Sequence, residues 1–258
     1  MHPTKKGAHD DTLFHIPQRT NAEDLYGIDN LKSSVKLVTL APEQPGSNEL
    51  IRNLSHNYRI KISLGHSCAT YEQGEKALSE GATALTHLFN AMNPLHHRTP
   101  GLAGLIASPA SPFYSVIPDG IHLHPATLTT AYRANPRKCI LITDSIELAG
   151  MPDGDYPGHS QIPHNQTKIG NKVVIKGTDT LIGSCCSLDE CVRNLVQWSG
   201  CSLAEAVMCV TENVAEMMDL KDRGKLEVGR RADFVVLSEH GEVLQTWIAG
   251  KKVWGKDT

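Results

Sequence analysis

The sequence has few of the features that mark secreted, membrane-spanning or nucleic-acid-binding proteins. Its seven cysteines are an odd number and form no Cys-x-x-Cys motif, which favours reduced thiols in a cytoplasmic protein over a disulfide framework. No apolar run approaches the roughly eighteen residues of a membrane span, and the polar beginning does not resemble a signal peptide. The formal net charge of −3 gives no indication of a surface that binds nucleic acid or an anionic membrane.

Short apolar runs alternate with amphipathic stretches over most of the chain. Runs that are apolar throughout are typical of strands covered on both faces, and they occupy residues 35–43, 59–65, 82–89, 112–120 and 139–144. The intervening stretches with helical spacing occupy residues 48–57, 71–80 and 125–134. This alternation predicts parallel βα units and an α/β fold.

The last part of the chain has a different pattern. Residues 151–183 are rich in Gly, Pro and Asn and end in a segment typical of a β-hairpin, "NKVVIKGTDTLIG". Helical segments are predicted at about 187–198 and 202–209, and residues 232–237 and 243–254 are typical of antiparallel strands.

Four polar residues close the predicted strands. "KISLG" is followed by His66, "TALT" by His87, "SVIPDGI" by His122 and "CILIT" by Asp144. In a β/α barrel the carboxyl ends of the strands meet at one mouth, where the active site is built. Taken singly, each histidine is more typical of a loop or a satisfied hydrogen-bond donor, and Asp144 could simply cap a helix. Together they predict a site.

The chemistry of these residues favours a metal. Neutral imidazoles are ligands for Zn²⁺ or Fe²⁺, and a nearby carboxylate can take a proton from an attacking water. Two histidines are too few, however, because a catalytic zinc usually has three protein ligands. The residues alone offer no obvious third ligand.

A basic loop follows the His87 strand. In "NPLHHRTPG" the side chain of Arg98 could clamp a phosphate, because a guanidinium matches phosphate geometry with paired donors. The alternative is an ordinary solvated loop. Backbone amides near Asn90 and in "LIGS" could add further donors.

The segments "LGHSCAT", "THLFNAMNPLHHR", "DGIH", "LITD" and "ADFVVL", in that order, resemble the N-acetylglucosamine-6-phosphate deacetylases of the amidohydrolase superfamily. The resemblance covers essentially the whole chain. It implies a (β/α)8 amidohydrolase barrel, here incomplete and limited to roughly strands four to eight, within residues 1–225. Residues 226–258 would be the C-terminal strands of a small β-sandwich.

The family's functional residues can be carried over one by one. His66 and His87 match its metal-binding histidines, Asp144 matches its catalytic acid/base, and His122 matches a histidine that contacts the substrate near the scissile amide. The positions that match substrate-binding residues are Ala8, His9, Asn90, Ala91, Arg98, Asp119, Gly120, Ile121, His122, Leu181, Ile182 and Gly183.

The resemblance implies hydrolysis of the acetamide of N-acetylglucosamine-6-phosphate to glucosamine-6-phosphate and acetate, a step of amino-sugar catabolism. It implies a divalent metal cofactor, expected to be Zn²⁺, with Fe²⁺ or another divalent ion as alternatives. It also implies a homodimer of the full-length protein, in which the arginine matching Arg98 reaches the neighbouring subunit's sugar phosphate.

One part of the family pattern is missing. In the family, "KKGAH" is preceded by a His-x-Glu-Gly-Pro segment whose glutamate is a metal ligand, whereas Met1 stands here only a few residues before "KKGAH". We therefore expect open strand edges, poor solubility and weak metal retention for this chain alone. Two other interpretations stay open: a non-catalytic, sugar-phosphate-binding relic of the same fold, and an amidohydrolase with another amide substrate.

Overall fold

The computed structural model of the chain describes residues 1–19 and 21–256. These residues form two compact units, the first made of Met1–Val116 and Asp144–Cys185 and the second of Ile117–Thr143 and the chain from Cys186 onward. The predicted domain boundary after residue 225 stays a prediction, and the last two residues of the segment predicted as sandwich lie outside the described residues.

The described residues contain short strands separated by short helices. The strands are β1 Leu37–Leu40, β2 Lys61–Leu64, β3 Ala84–Leu85, β4 Phe113–Val116, β5 Cys139–Leu141, β6 Gly154–Tyr156, β7 Gln166–Ile169, β8 Lys172–Ile175, β9 Leu181–Ser184, β10 Phe234–Leu237, β11 Val243–Ile248 and β12 Lys251–Gly255. The α-helices are α1 Ala22–Tyr26, α2 Ile28–Ser33, α3 Ser47–Arg52, α4 Tyr71–Ser79, α5 Pro125–Ala134, α6 Leu188–Ser199, α7 Leu203–Met208 and α8 Glu212–Met217. The remaining helical segments are the 3₁₀ helices Pro3–Lys5, Asp11–Leu13, Pro17–Arg19, Leu102–Ala107 and Pro136–Lys138, and the π-helical segment Asn53–Asn57 that continues α3.

The first unit is built on a parallel sheet in the order β1-β2-β3-β4. Ile62 and Leu64 on β2 and Tyr114 on β4 are fully buried, because the sheet is covered on both faces. The α/β fold with parallel βα units, predicted from the continuous apolar runs, is therefore confirmed.

The third strand is much shorter than its predicted span, residues 82–89. The Thr86 amide still donates to the Leu64 carbonyl at 2.8 Å, but His87 takes a positive φ of 31°. A positive φ is incompatible with extended strand geometry. The chain therefore leaves the sheet at the residue whose side chain the sequence had singled out.

An antiparallel sheet, β6-β7-β8-β9, completes the first unit. The predicted hairpin corresponds to β8 and β9. The sheet carries a separate apolar cluster, whose buried members are Ala8, Leu148, Ile162, Val173 and Ile182. Ala8 comes from the N-terminal segment, so the cluster ties "KKGAH" to β9.

The second unit contains β5, α5 to α8 and an antiparallel sheet, β10-β11-β12. Helix α6 buries Cys191, Val192 and Leu195, which share one side at helical spacing. The antiparallel terminal strands agree with the sequence pattern. Within residues 1–19 and 21–256, the structure contains no helix with the length and apolar character that crossing a membrane requires.

Candidate metal centre and active site

The strand-end residues of the first unit share an unusual backbone. His66 follows β2, His87 follows β3, and Asp144 begins the segment that leads toward the antiparallel sheet. Their φ angles are 47°, 31° and 50°. Such left-handed conformations are uncommon for residues other than glycine and concentrate at functional sites. The three positions that the sequence selected by residue type thus belong to a group of nine described non-glycine residues with a positive φ.

The imidazoles of His66 and His87 face each other. Their Nε2 atoms lie 3.0 Å apart, and each residue is 7% exposed. The Nδ1 atom of His66 lies 2.8 Å from the Lys5 carbonyl, and that of His87 lies 3.2 Å from the Asn90 carbonyl. A carbonyl can only accept, so both Nδ1 atoms carry the proton and both Nε2 lone pairs point toward the same space. Two lone pairs at this distance repel unless a cation lies between them.

This donor set fits a divalent metal ion. Burial, and then the neighbouring His87, lower the pKa of His66 to about 4, so that its ring is neutral near pH 7. Zn–N bonds of about 2.0–2.1 Å in tetrahedral geometry place two nitrogens roughly 3.3 Å apart, close to the spacing here. Within the described residues, no third His, Cys, Asp or Glu completes this pair into a cluster of three ligands.

The N-terminal segment lies against His66. The His2 amide donates to the His66 carbonyl at 2.8 Å, and the His9 ring meets the His66 ring edge-to-face with centroids 5.3 Å apart. Lys5 contributes the carbonyl that fixes His66, which sequence reasoning missed because a backbone acceptor leaves no mark in residue type. His9, predicted to bind substrate, is thus brought beside the histidine pair.

The loop after His87 is held by the backbone as well. Asn90 supplies the carbonyl that fixes His87, and Ala91 accepts the amide of Ser67 at 3.0 Å. The His87 amide donates to the Ser115 hydroxyl at 2.8 Å. Ser115 was also missed, although a lone hydroxyl within the apolar run of β4 was a signal.

Asp144 lies beside the glycine of β9. The Ser184 amide donates to the Asp144 carbonyl at 2.8 Å, and a Cβ on Gly183 would stand 2.5 Å from that oxygen. The side chain of Asp144 is exposed. Within residues 1–19 and 21–256 its carboxylate makes no hydrogen bond or ion pair. The predicted positions Leu181 to Gly183 therefore adjoin the predicted acid/base through the backbone.

In the second unit, residues 119–122 form a turn around one carboxylate. Asp119 accepts the amides of Ile121 and His122 at 2.9 and 2.8 Å, and its Oδ2 lies 2.6 Å from His122 Nδ1. The Asp119 side chain is fully buried, and Gly120 supplies the positive φ of the turn. Burial raises the pKa of Asp119, but the hydrogen bonds from His122 and the two amides outweigh it and hold the pKa below its usual range.

Arg98 lies in an exposed loop. Its Nε donates to His97 at 3.1 Å and its amide to His96 at 3.3 Å. Among the described residues the structure gives it no acidic partner. The guanidinium therefore keeps most of its donors available, as the phosphate-clamp prediction requires.

A family model of the amidohydrolases matches residues 18–253, so the chain belongs to the amidohydrolase family. Members of this family are hydrolytic enzymes that generally use a divalent metal. The chain is 40% identical over 259 residues to the N-acetylglucosamine-6-phosphate deacetylase of Danio rerio, a match that covers 98% of this chain and 63% of the relative. The chain therefore spans somewhat less than two thirds of that relative's length.

Solved structures of deacetylases are also similar to this chain. The deacetylase of that name from Thermotoga maritima matches with a TM-score of 0.89 at 30% identity, over 99% of this chain and 68% of the other. An aspartate-to-alanine mutant of the Mycobacterium smegmatis enzyme, in complex with N-acetyl-D-glucosamine-6-phosphate, matches with a TM-score of 0.87 at 32% identity, over 97% of this chain and 65% of the other.

Proposed function

We propose that the chain carries the catalytic part of a metal-dependent deacetylase that converts N-acetylglucosamine-6-phosphate to glucosamine-6-phosphate and acetate. The observation that supports this most is the His66–His87 pair, whose Nε2 atoms face each other at 3.0 Å while backbone carbonyls hold both Nδ1 atoms. The names of the similar proteins supply the substrate.

His66 and His87 would hold the ion, which we propose to be Zn²⁺. Such an ion polarises a bound carbonyl and lowers the pKa of a bound water to about 7. Asp144, with its exposed carboxylate, would accept the proton of the attacking water and return it to the leaving nitrogen. His122, whose Nδ1 is fixed by Asp119, would donate a hydrogen bond from Nε2 to the amide oxygen as negative charge develops there.

The substrate-binding positions divide by chemistry. The backbone around Asn90 and Ala91 and the strand Leu181 to Gly183 offer polar groups to the sugar, as does the turn from Asp119 to Ile121. His9 lies beside His66, and Ala8 anchors it through the apolar cluster. Arg98 would bind the phosphate with paired donors.

We further propose a cytoplasmic homodimer in the full-length protein. None of the seven cysteines, all of which the structure describes, forms a disulfide, which fits a reducing compartment. Light scattering on the purified full-length protein tests the dimer, and a monomeric mass would contradict it.

The decisive experiment measures acetate release and substrate binding separately. Acetate formation from N-acetylglucosamine-6-phosphate is followed by NMR with added Zn²⁺, for the chain alone and for the chain joined to any in-frame upstream coding sequence. Calorimetry measures binding of the same sugar with and without its phosphate. Turnover that is lost in Asp144→Asn supports the proposal.

The other outcomes separate the competing interpretations. Binding of the phosphorylated sugar with no turnover in any form would favour a non-catalytic relic. Equal affinity for both sugars, unchanged by Arg98→Ala, would favour another amide substrate. Arg137→Ala, a second exposed arginine, is the matched control.

A further inference from the structure

A second cluster of metal-ligating side chains lies in the first unit. It consists of His2 at the N-terminal turn, Glu43 in the loop after β1 and Cys68 two residues beyond His66. One ligand atom from each lies within 4.8 Å of the other two, and all three residues are half-buried. Neither the amide hydrolysis nor the His66–His87 pair uses any of these side chains.

The distance between the His2 nitrogen and the Cys68 sulfur matches that between two ligands of one tetrahedral ion. The His2 Nδ1 and Cys68 Sγ atoms are 3.6 Å apart. Zinc bonds of about 2.3 Å to sulfur and 2.0–2.1 Å to nitrogen, at the tetrahedral angle, place these two atoms roughly 3.6 Å apart. His2 Nδ1 accepts the Thr4 amide at 3.2 Å, so an ion at this atom would replace that hydrogen bond by a metal–nitrogen bond.

The carboxylate of Glu43 is held beside Cys68 by two hydrogen bonds. Its Oε1 accepts the Cys68 amide at 2.6 Å, and its Oε2 accepts the Ser67 hydroxyl at 2.6 Å. Hydrogen bonds to a ligand from outside the coordination sphere fix its orientation and raise metal affinity. The Thr4 hydroxyl, 2.8 Å from His2 Nδ1 and 3.2 Å from Cys68 Sγ, adds an oxygen at the same place.

We propose that His2, Glu43 and Cys68 form a second metal site, separate from the imidazole pair, for Zn²⁺ or a divalent ion of similar softness. Thiolate, imidazole and carboxylate together select such ions over Mg²⁺ and Ca²⁺. Binding forms the metal–sulfur bond and releases the thiol proton to solvent. The ion would join the N-terminal turn to the loops that follow β1 and β2.

This position gives the site a structural consequence. The N-terminal turn between His2 and Lys5 ends in the carbonyl that holds His66 Nδ1. An ion at His2 would therefore keep that carbonyl in place beside the first histidine pair. The ion would therefore stabilise the orientation of the His66 ring without contacting the substrate.

Cobalt(II) distinguishes the two sites, because a cobalt–thiolate bond gives a charge-transfer absorption that imidazole ligands do not. We expect the band on titrating the purified 258-residue chain with Co²⁺. Cys68→Ser should remove it, and Glu43→Gln, which keeps a hydrogen-bond acceptor but loses the charge, should weaken Co²⁺ binding at this band. Ser67→Ala should weaken the affinity for Co²⁺ by roughly 10–100-fold, as expected for a hydrogen-bond partner outside the coordination sphere.

Two cysteine variants serve as controls. Cys201→Ser removes another half-buried thiol, and Cys186→Ser removes one member of the buried pair whose sulfurs lie 3.7 Å apart. Both should keep the band. No band on the folded wild-type chain, or a band that Cys68→Ser keeps or Cys186→Ser removes, would overturn the proposal; circular dichroism establishes that each variant is folded.

Discussion

The two units fix their histidines in different ways. In the first unit, backbone carbonyls hold the Nδ1 atoms of His66 and His87. In the second, the buried carboxylate of Asp119 holds His122. A carbonyl leaves the ring neutral with its Nε2 lone pair available, which suits a metal ligand. A carboxylate also stabilises positive charge that develops on the ring, which suits a group that donates a hydrogen bond to a reacting oxygen.

The difference also predicts which kind of change destabilises each region. The histidine pair depends on the course of the backbone, so steric changes should disturb it. The turn around Asp119 depends on one charge, so pH should disturb it. The following substitutions test that contrast, from the largest expected effect to the smallest.

Gly183→Ala should disturb the first unit most. Its φ is +49°, and the added Cβ would stand 2.5 Å from the Asp144 carbonyl oxygen. We expect a loss of about 2–4 kcal/mol in the free energy of unfolding, from the left-handed backbone and the clash together. Gly170→Ala is the control, because its φ is +57° but nothing lies within 4 Å. Equal losses in urea unfolding would contradict the steric argument.

Asp119→Asn should cost about 1–3 kcal/mol near pH 7, because it weakens charge-assisted hydrogen bonds to His122 and two amides. Since the folded-state pKa of Asp119 lies below its usual value, its stabilisation is present above about pH 4 and is lost as the pH falls through the folded value. The wild-type advantage, measured by urea unfolding, should therefore shrink below pH 4. A constant difference down to pH 2 would show that charge is not responsible.

Ser115→Ala should have the smallest effect on stability, about 1 kcal/mol, by leaving the His87 amide without its acceptor. The effect should be independent of pH between 5 and 8, in contrast to that of a charged group. Ser79→Ala, whose hydroxyl donates to Lys76 on the exposed side of α4, is the control and should be near neutral. Urea unfolding at several pH values gives both quantities.

The regular elements were the most predictable part of the molecule. Helix α5 begins at Pro125 and ends at Ala134, the span that its helical spacing predicted, and α4 has a capping box between Thr70 and Gln73. Helices α1 and α2 and strands β6 and β7 were not predicted. Helices α1 and α2 and strand β6 are short and largely exposed, and β7 buries the polar residues Gln166 and Lys168, so all four carry little of the apolar periodicity on which such a prediction depends.

The proximity of His66 and His87 was predictable from residue type, but the orientation of their rings was not. His66 and His87 could be selected because each follows an apolar run, and the structure places their rings together. Their orientation depends on the carbonyls of Lys5 and Asn90, and every residue has a carbonyl. The left-handed backbone at both histidines could not be predicted either, because only a few per cent of non-glycine residues adopt it, even though histidine is enriched among them.

The proposed function depends first on His66 and His87 acting as a metal-binding pair. Zn²⁺ titration by calorimetry in the Cys68→Ser background, where the proposed thiolate site is disabled, tests it most directly. We expect one binding event. His66→Asn and His87→Asn should each weaken its Zn²⁺ affinity by about 100-fold or more, which exceeds the effect of losing a hydrogen-bond partner outside the coordination sphere. The doubly substituted His96→Asn, His97→Asn chain removes an exposed histidine pair with ring centroids 4.2 Å apart and should bind as before. Unchanged Zn²⁺ affinity in folded His66→Asn and His87→Asn would contradict the claim.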